Sequence, residues 1–98
     1  MTIKELLQKE RQIWGNQKLT LEQIIIRMGV VFGDICRIAR KSPKDKEKWE
    51  NPKELKKELW NFIASTIRWC DDLGFDPEEC IKLALEAQEK GVKNRELR

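Results

Sequence analysis

Helix-start signals occur four times along this chain, and their spacing constrains the fold more than any other feature of the sequence. Two of them, Thr2 with Glu5 and Thr20 with Gln23, match the capping box, in which two side chains satisfy each other's free backbone N–H groups. The other two place a capping residue before a proline, at Asn51-Pro52 and Asp76-Pro77. Proline suits the first helical position because that residue has no helical partner for its N–H.

A stop signal follows each start at helical distance. The stops are Gly15-Asn16, Ser42-Pro43, Gly74 and Gly91. Glycine ends helices because it adopts positive φ at low cost, and a residue before proline is disfavoured in the helical region. We therefore predict four helices, the second from Thr20 to about Arg40 and the third from Asn51 to Gly74, each roughly 30 Å long. Residues 44–50 are predicted to form a solvated loop, and residues 92–98 a frayed tail.

Apolar residues recur at helical spacing in all four segments, and no segment shows the two-residue alternation of a strand. The second helix has an unusually wide apolar face, since the runs Ile24-Ile25-Ile26 and Val30-Val31-Phe32 extend beyond one stripe. A face of that width needs more than one packing partner. We expect an all-α bundle of about four helices with two long central ones, completed by homodimerisation into a four-helix-bundle core. A homotetramer is the alternative assembly.

Composition favours one globular domain spanning residues 1–98, with its core at about 20–90. The net charge of +3 comes from 20 basic and 17 acidic residues, which are mixed along the chain, so a dedicated nucleic-acid binder is not indicated. No apolar stretch approaches the roughly 20 residues that span a bilayer, and the first residues lack the apolar core of a signal peptide. We expect a cytoplasmic protein without a membrane partner.

The chain contains no histidine, which excludes Ser-His and Cys-His nucleophiles, histidine bases and histidine-ligated zinc. Its three cysteines, Cys36, Cys70 and Cys80, lie in apolar helical contexts without C-x-x-C spacing. Reduced and mostly buried thiols are the favoured interpretation, with a Cys70–Cys80 bridge or a reactive thiol as the alternatives. Any chemistry must therefore depend on carboxylates, lysines or a metal-activated water.

Two pairs of positions on the long predicted helices are candidates for metal ligands. Val31 and Asp34 are three residues apart, as are Glu58 and Asn61, so each pair shares one helix face. Oxygen ligands at such positions on two facing helices would suit a hard cation such as Mg²⁺.

These segments resemble those of the MazG-like nucleotide pyrophosphohydrolases over residues 20–88. The family pattern V-G-E-L corresponds to the segment ending Gly33-Asp34-Ile35, and E-L-x-D to Glu58-Leu59-Trp60-Asn61. The best match is Leu73-Gly74-Phe75-Asp76-Pro77-Glu78-Glu79, which corresponds to L-G-[IF]-D-x-E-E.

The resemblance implies an all-α dimer or tetramer that uses Mg²⁺ to hydrolyse a nucleoside triphosphate to the monophosphate and pyrophosphate. It implies that Asp34 and Glu58 hold the metal and that Asn61 orients a water or completes the shell, so Asp34, Glu58 and Asn61 are the predicted catalytic residues. The chain also departs from the family pattern. Val31 replaces the first glutamate, Asn61 the final aspartate, and the phosphate-contacting Lys and Asn of the last helix fall near Ala84 and Gln88.

Because two of the four expected acids are missing, a non-catalytic nucleotide-binding or protein-interaction dimer is the second hypothesis. Trp14 and Trp49, beside predicted loops, are candidates for stacking a base, whereas Trp60 and Trp69 are expected in the core or a dimer interface. Gly29 and Gly33, four residues apart, are expected to let two helices pack closely. Lys82, Lys90 and Arg37 are possible phosphate contacts.

Overall fold

A computed structural model describes residues 1–41 and 52–93, and within those ranges all regular structure is helical. The helices are α1 (Ile3–Trp14), α2 (Leu21–Lys41), α3 (Pro52–Asp72) and α4 (Pro77–Lys93). The prediction of an all-α chain with two long central helices is confirmed. Helix α4 continues two residues beyond the predicted stop at Gly91, while the predicted 44–50 loop, the Asn51 cap and residues 94–98 lie outside the described residues. No described helix is both long and apolar enough to cross a membrane.

Both predicted capping boxes are formed. The backbone N–H of Glu5 donates to the Thr2 hydroxyl at 3.0 Å, and that of Thr2 donates back to the Glu5 carboxylate at 3.3 Å. At α2, the same reciprocal bonds join Thr20 and Gln23. These local contacts fix where α1 and α2 begin because they satisfy N–H groups that have no partner within the helix.

Gly74 ends α3 and turns the chain into α4. Its φ of 82° lies in the left-handed region, which glycine adopts without the steric cost of a Cβ. The N–H of Phe75 donates to the carbonyl of Cys70, and that of Gly74 to the carbonyl of Asp71, which is the Schellman arrangement. Asp76 then accepts from the N–H of Glu78, and α4 begins at Pro77.

Helices α2 and α3 form the most extensive helix pair of the structure. Arg27 near the start of α2 and Arg68 near the end of α3 line one cavity, so the two helices run antiparallel. Buried and half-buried residues recur every three or four positions along α2 and the first part of α3, and every α3 residue from 64 to 72 is at least half-buried. One such face of each helix carries Ile24, Met28, Val31, Asp34, Ile35 and Ile38 on α2, and Leu55, Glu58, Phe62, Ser65, Thr66 and Trp69 on α3. We call these sets the inward stripes of α2 and α3.

The core between the stripes is small. Trp69 and Ile24 are its two nearly inaccessible hydrophobic side chains, and the Phe62 ring meets Trp69 edge-on with centroids 6.4 Å apart. Trp69 thus lies in the core, whereas Trp60 is 66% exposed and, of the two predicted locations, keeps only the dimer interface.

The prediction for the two α2 glycines is wrong for the helices of this chain. A Cβ added at Gly29 or Gly33 would meet nothing within 4 Å, so neither residue permits a close helix crossing here. Both glycines lie on the exposed side of α2, where α3 does not pack.

A charged cluster attaches α1 to the end of α3. The Arg11 guanidinium donates to Asp71 and to Asp72, each at 2.5 Å, and Lys18 adds a bond to Asp71 at 2.9 Å. The Asp72 side chain is only 1% exposed and that of Arg11 14%. Arg11 also donates to the backbone carbonyls of Gly15 and Gln17, which holds the α1–α2 loop in place. We call Arg11, Lys18, Asp71 and Asp72 the Arg11 cluster.

We expect Arg11→Ala to lower the free energy of unfolding by about 3–5 kcal/mol, because it leaves the buried Asp72 carboxylate without its cation. The matched control is Arg37→Ala, which removes a more exposed i,i+3 pair with Asp34 and should cost below about 1 kcal/mol. Urea denaturation of both variants measures the difference. Equal costs would contradict the role given to the Arg11 cluster.

The same cluster makes stability depend on pH. Its hydrogen bonds from Lys18 and from Arg11 lower the pKa of Asp71 below the usual 3.8, against the effect of burial. Ionised Asp71 therefore stabilises the folded state above the unfolded pKa, and that contribution is lost as pH falls through the folded pKa. Burial raises the pKa of Glu10, so protonating Glu10 acts in the opposite sense.

Asp71→Asn should lower the free energy of unfolding at neutral pH and flatten its fall below about pH 4. Thermal or urea unfolding across an acidic pH series measures this slope. Glu86→Gln, on the exposed surface of α4, is the control and should leave the slope as in the parent chain. An unchanged slope in Asp71→Asn would refute the assignment.

Candidate functional site

Three of the four predicted ligand positions lie on the inward stripes. Val31 and Asp34 are half-buried on α2, and the Glu58 side chain on α3 is only 17% exposed. Asn61 lies outside the α3 stripe and is exposed. A carboxylate at a position as buried as Glu58 loses hydration, so it gains from any nearby cation.

The positions of these residues along their helices can be compared from the cavity that Arg27 and Arg68 both line. Asp34 follows Arg27 by seven residues, and Asn61 precedes Arg68 by seven, so each is roughly 10 Å along its own helix from the cavity. Glu58 is roughly 15 Å along α3 from the same point. These spacings are compatible with a shared site.

Each of the two carboxylates already has a cation beside it on its own helix. Asp34 accepts from Arg37 at 2.5 Å, in a pair whose side chains are 36% and 61% exposed. Glu58 is 3.6 Å from the Lys57 ammonium, and the Lys57 side chain is 71% exposed. Ion pairs this accessible to water are weak, so a divalent cation would compete with them. Arg37, a candidate phosphate contact by sequence, is engaged with Asp34.

The donor set of the candidate metal site consists of two carboxylates. Among residues 1–41 and 52–93, no group of three or more Cys, Asp or Glu side chains is placed to hold a metal ion. Mg²⁺ is commonly held by one or two carboxylates with waters and substrate phosphates completing its octahedron. Asp34 and Glu58 therefore fit a metal that arrives with a nucleotide better than one that resides permanently.

A cavity that the sequence motifs did not predict lies at the junction of α1, α2 and α3. Its volume is about 60 Å³, and its lining residues are Trp14, Gln17, Leu19, Arg27, Arg68 and Asp72. Arg68 and Asp72 are four residues apart and continue the inward face of α3. Charged residues that extend an apolar stripe are the sequence signal that marks this end of α3, but that signal does not reveal a cavity.

The cavity wall contains buried polar atoms without hydrogen-bond partners. They include Arg68 Nε and Asp72 Oδ2, although a Glu10 carboxylate oxygen lies 4.0 Å from Arg68 Nε. Burial lowers the pKa of Arg68, while the charge of Glu10 raises it and that of Arg27 lowers it. Most buried polar atoms in proteins are paired, so this wall is suited to a polar occupant.

Trp14 covers the guanidinium of Arg68, whose carbon lies 4.7 Å from the ring centroid. One face of the indole is thus occupied, yet the residue remains 58% exposed. Trp14 keeps an accessible ring surface for stacking, and Trp49 lies outside the described residues.

All three cysteines are free thiols. Cys36 is exposed, whereas Cys70 and Cys80 are half-buried, so the prediction of mostly buried thiols holds only in part. Burial and the adjacent Cys80 thiol raise the pKa of Cys70 to about 11. A thiol with that pKa is a poor nucleophile at neutral pH.

The positions of the last helix that the sequence relates to phosphate binding all lie on its exposed surface. Ala84 and Gln88 are exposed on α4, as are Lys82 and Lys90. Two open apolar grooves lie along α4. The first, of about 530 Å³, is lined in part by Phe75 and Leu83, and the second, of about 430 Å³, by Leu85 and Val92.

No protein-family model matches this chain, and no curated protein or solved structure matches it either. Its resemblance to the MazG-like proteins therefore depends on the short motifs around Asp34, Glu58 and Gly74.

Proposed function

We propose that this protein is a MazG-like nucleotide pyrophosphohydrolase that converts a nucleoside triphosphate to the monophosphate and pyrophosphate, with a reduced metal site. The observation that carries the proposal is the position of Asp34 and Glu58. Both acids lie on the inward stripes of α2 and α3, where apolar residues would pack better. Placing two carboxylates in such a stripe costs hydration, and the exposed cations Arg37 and Lys57 beside them offset that cost only weakly.

In this proposal Asp34 and Glu58 hold Mg²⁺ together with the triphosphate. When bound, Mg²⁺ neutralises phosphate charge and lowers the pKa of a coordinated water. Asn61 contributes a neutral amide whose oxygen accepts a hydrogen bond from the attacking water, and whose N–H₂ donates to a phosphate oxygen. With Asp34 holding the metal, Arg37, which now pairs with Asp34, would be available to donate to the phosphates. With half the usual acids, activity is expected to be low.

The proposal predicts pyrophosphate release when the protein is incubated with Mg²⁺ and each nucleoside or deoxynucleoside triphosphate. Glu58→Gln keeps the shape of the side chain and removes its charge, so it should abolish turnover. Asn61→Asp restores an acid at an exposed position and should raise activity and Mg²⁺ affinity. A parent chain no more active than Glu58→Gln would defeat the catalytic claim.

The second candidate is a non-catalytic dimer of the same fold that binds a nucleotide or a protein. The favouring observation is the unpartnered apolar surface of the two long helices. Large hydrophobic side chains at least 45% exposed are Leu21, Ile25, Ile26, Val30 and Phe32 on α2, and Leu59, Trp60 and Ile63 on α3. Contiguous apolar surface of this kind is typical of interfaces. Nucleotide binding that ignores Mg²⁺, with no turnover, would favour this candidate.

Either candidate predicts a homodimer, and light scattering during gel filtration measures the mass. Phe32→Asp places a charge on the exposed apolar surface of α2 and should shift the protein to monomer. Arg40→Gln, eight residues beyond the end of that surface on the same helix, should leave the mass unchanged. A parent chain that is monomeric at micromolar concentration would contradict the expected assembly.

A further inference from the structure

The cavity between α1, α2 and α3 has an excess of positive charge. The surrounding cations are Arg11, Lys18, Arg27 and Arg68, and the carboxylates are Glu10, Asp71 and Asp72. Four cations against three carboxylates leave one positive charge. Arg27 accounts for it, since among the described parts of the chain Arg27 has no ion-pair or hydrogen-bond partner.

The buried atoms of the wall define the chemistry of an occupant. Arg68, whose side chain is 8% exposed, has an Nε–H that lies 4.0 Å from a Glu10 oxygen and has no hydrogen-bond partner. The Oδ2 of Asp72, a side chain 1% exposed, likewise has no hydrogen-bond partner. An occupant must therefore be anionic toward Arg27 and Arg68 and must also donate a hydrogen bond to Asp72. A purely accepting anion would be repelled by that carboxylate.

From this arrangement we infer that the cavity binds hydrogen phosphate, as the free ion or as the phosphate end of a nucleotide, between Arg27 and Arg68. The phosphate oxygens accept from the two guanidinium groups, and its O–H donates to Asp72 Oδ2. A volume of about 60 Å³ admits a tetrahedral oxyanion in place of the about four waters that would otherwise fit. Arg27 is seven residues from Asp34, so this site is about 10 Å along α2 from the proposed metal site.

The test is titration of the intact protein with inorganic phosphate at constant ionic strength. Calorimetry gives the affinity, and the ¹⁵N-resolved Nε–H signal of Arg68 reports the contact directly. A saturable shift of that signal is expected. Arg27→Gln should weaken binding about tenfold or more, since it removes a charge-assisted bond. Arg27 is exposed, so the variant keeps the fold.

Two control variants distinguish phosphate binding in this cavity from binding elsewhere on the protein. Arg40→Gln removes an exposed arginine about 20 Å further along α2 and should leave phosphate binding unchanged. Glu58→Gln should also leave it unchanged, so failure of the metal site and failure of the phosphate site are distinguishable. Sulfate, which lacks an O–H at neutral pH, should bind at least about tenfold more weakly.

A nucleoside monophosphate distinguishes the two sources of phosphate. A response to inorganic phosphate alone assigns the free ion. The alternative outcome is that the monophosphate binds as tightly as inorganic phosphate or more tightly, and that both Arg27→Gln and Trp14→Leu weaken this binding. That outcome assigns a nucleotide whose base stacks on the accessible ring surface of Trp14. If the Arg68 Nε–H signal does not move with either ligand, the cavity is filled only by water and the inference is overturned. The same holds if Arg27→Gln and Arg40→Gln weaken binding equally. Sulfate binding as tight as phosphate would equally overturn it.

Discussion

The Arg11–Asp72 ion pair determines how α1 is attached to the rest of the chain. Helix α1 has 12 residues, too few for a stable isolated helix in water, and its apolar side chains at Ile13 and Trp14 remain exposed. It is held instead by a guanidinium that bridges two carboxylates at the end of α3 and bonds the carbonyls of the following loop. The cavity exists because this bridge fixes the α1–α2 loop over α3.

Charge burial in this protein is concentrated at that junction. Glu10 and Arg68 are each more than nine-tenths buried at the side chain, and a pair 4.0 Å apart with unpaired neighbouring atoms recovers only part of the cost of desolvation. A buried ion pair of this kind adds little stability, so its role is to specify one helix orientation or to contribute to a ligand site. The phosphate inference explains the excess charge and the unpaired atoms together.

The proposed metal site has the opposite character. Asp34 and Glu58 are partly accessible and have exposed cations beside them, so little energy holds them in their present contacts. They are free to turn to a stronger cation. The apolar surface on the other sides of α2 and α3 is large for so small a core, which is why assembly belongs to both functional proposals.

Much of the fold was predictable because the relevant interactions are local. The capping boxes at Thr2 and Thr20, the glycine stop at Gly74 and the period of the apolar residues involve neighbours within five positions, so the sequence determined the number, type and approximate bounds of the described helices. The resemblance to a family likewise depends on short motifs, and it selected Asp34 and Glu58 without reference to their surroundings.

Only the tertiary structure decided which of several apolar and charged faces meet. Residue spacing could not predict that Trp69 is buried while Trp60 is exposed, because both lie on the same apolar-rich helix. The two residues lie on different faces of α3, and only the packing of α2 decides which face is covered. Nor could it reveal that Arg11 reaches Asp72, 61 positions along the chain, or that Arg27 and Arg68 line one cavity. Those contacts depend on how three helices cross, which is set by the fit of their side chains rather than by any local pattern.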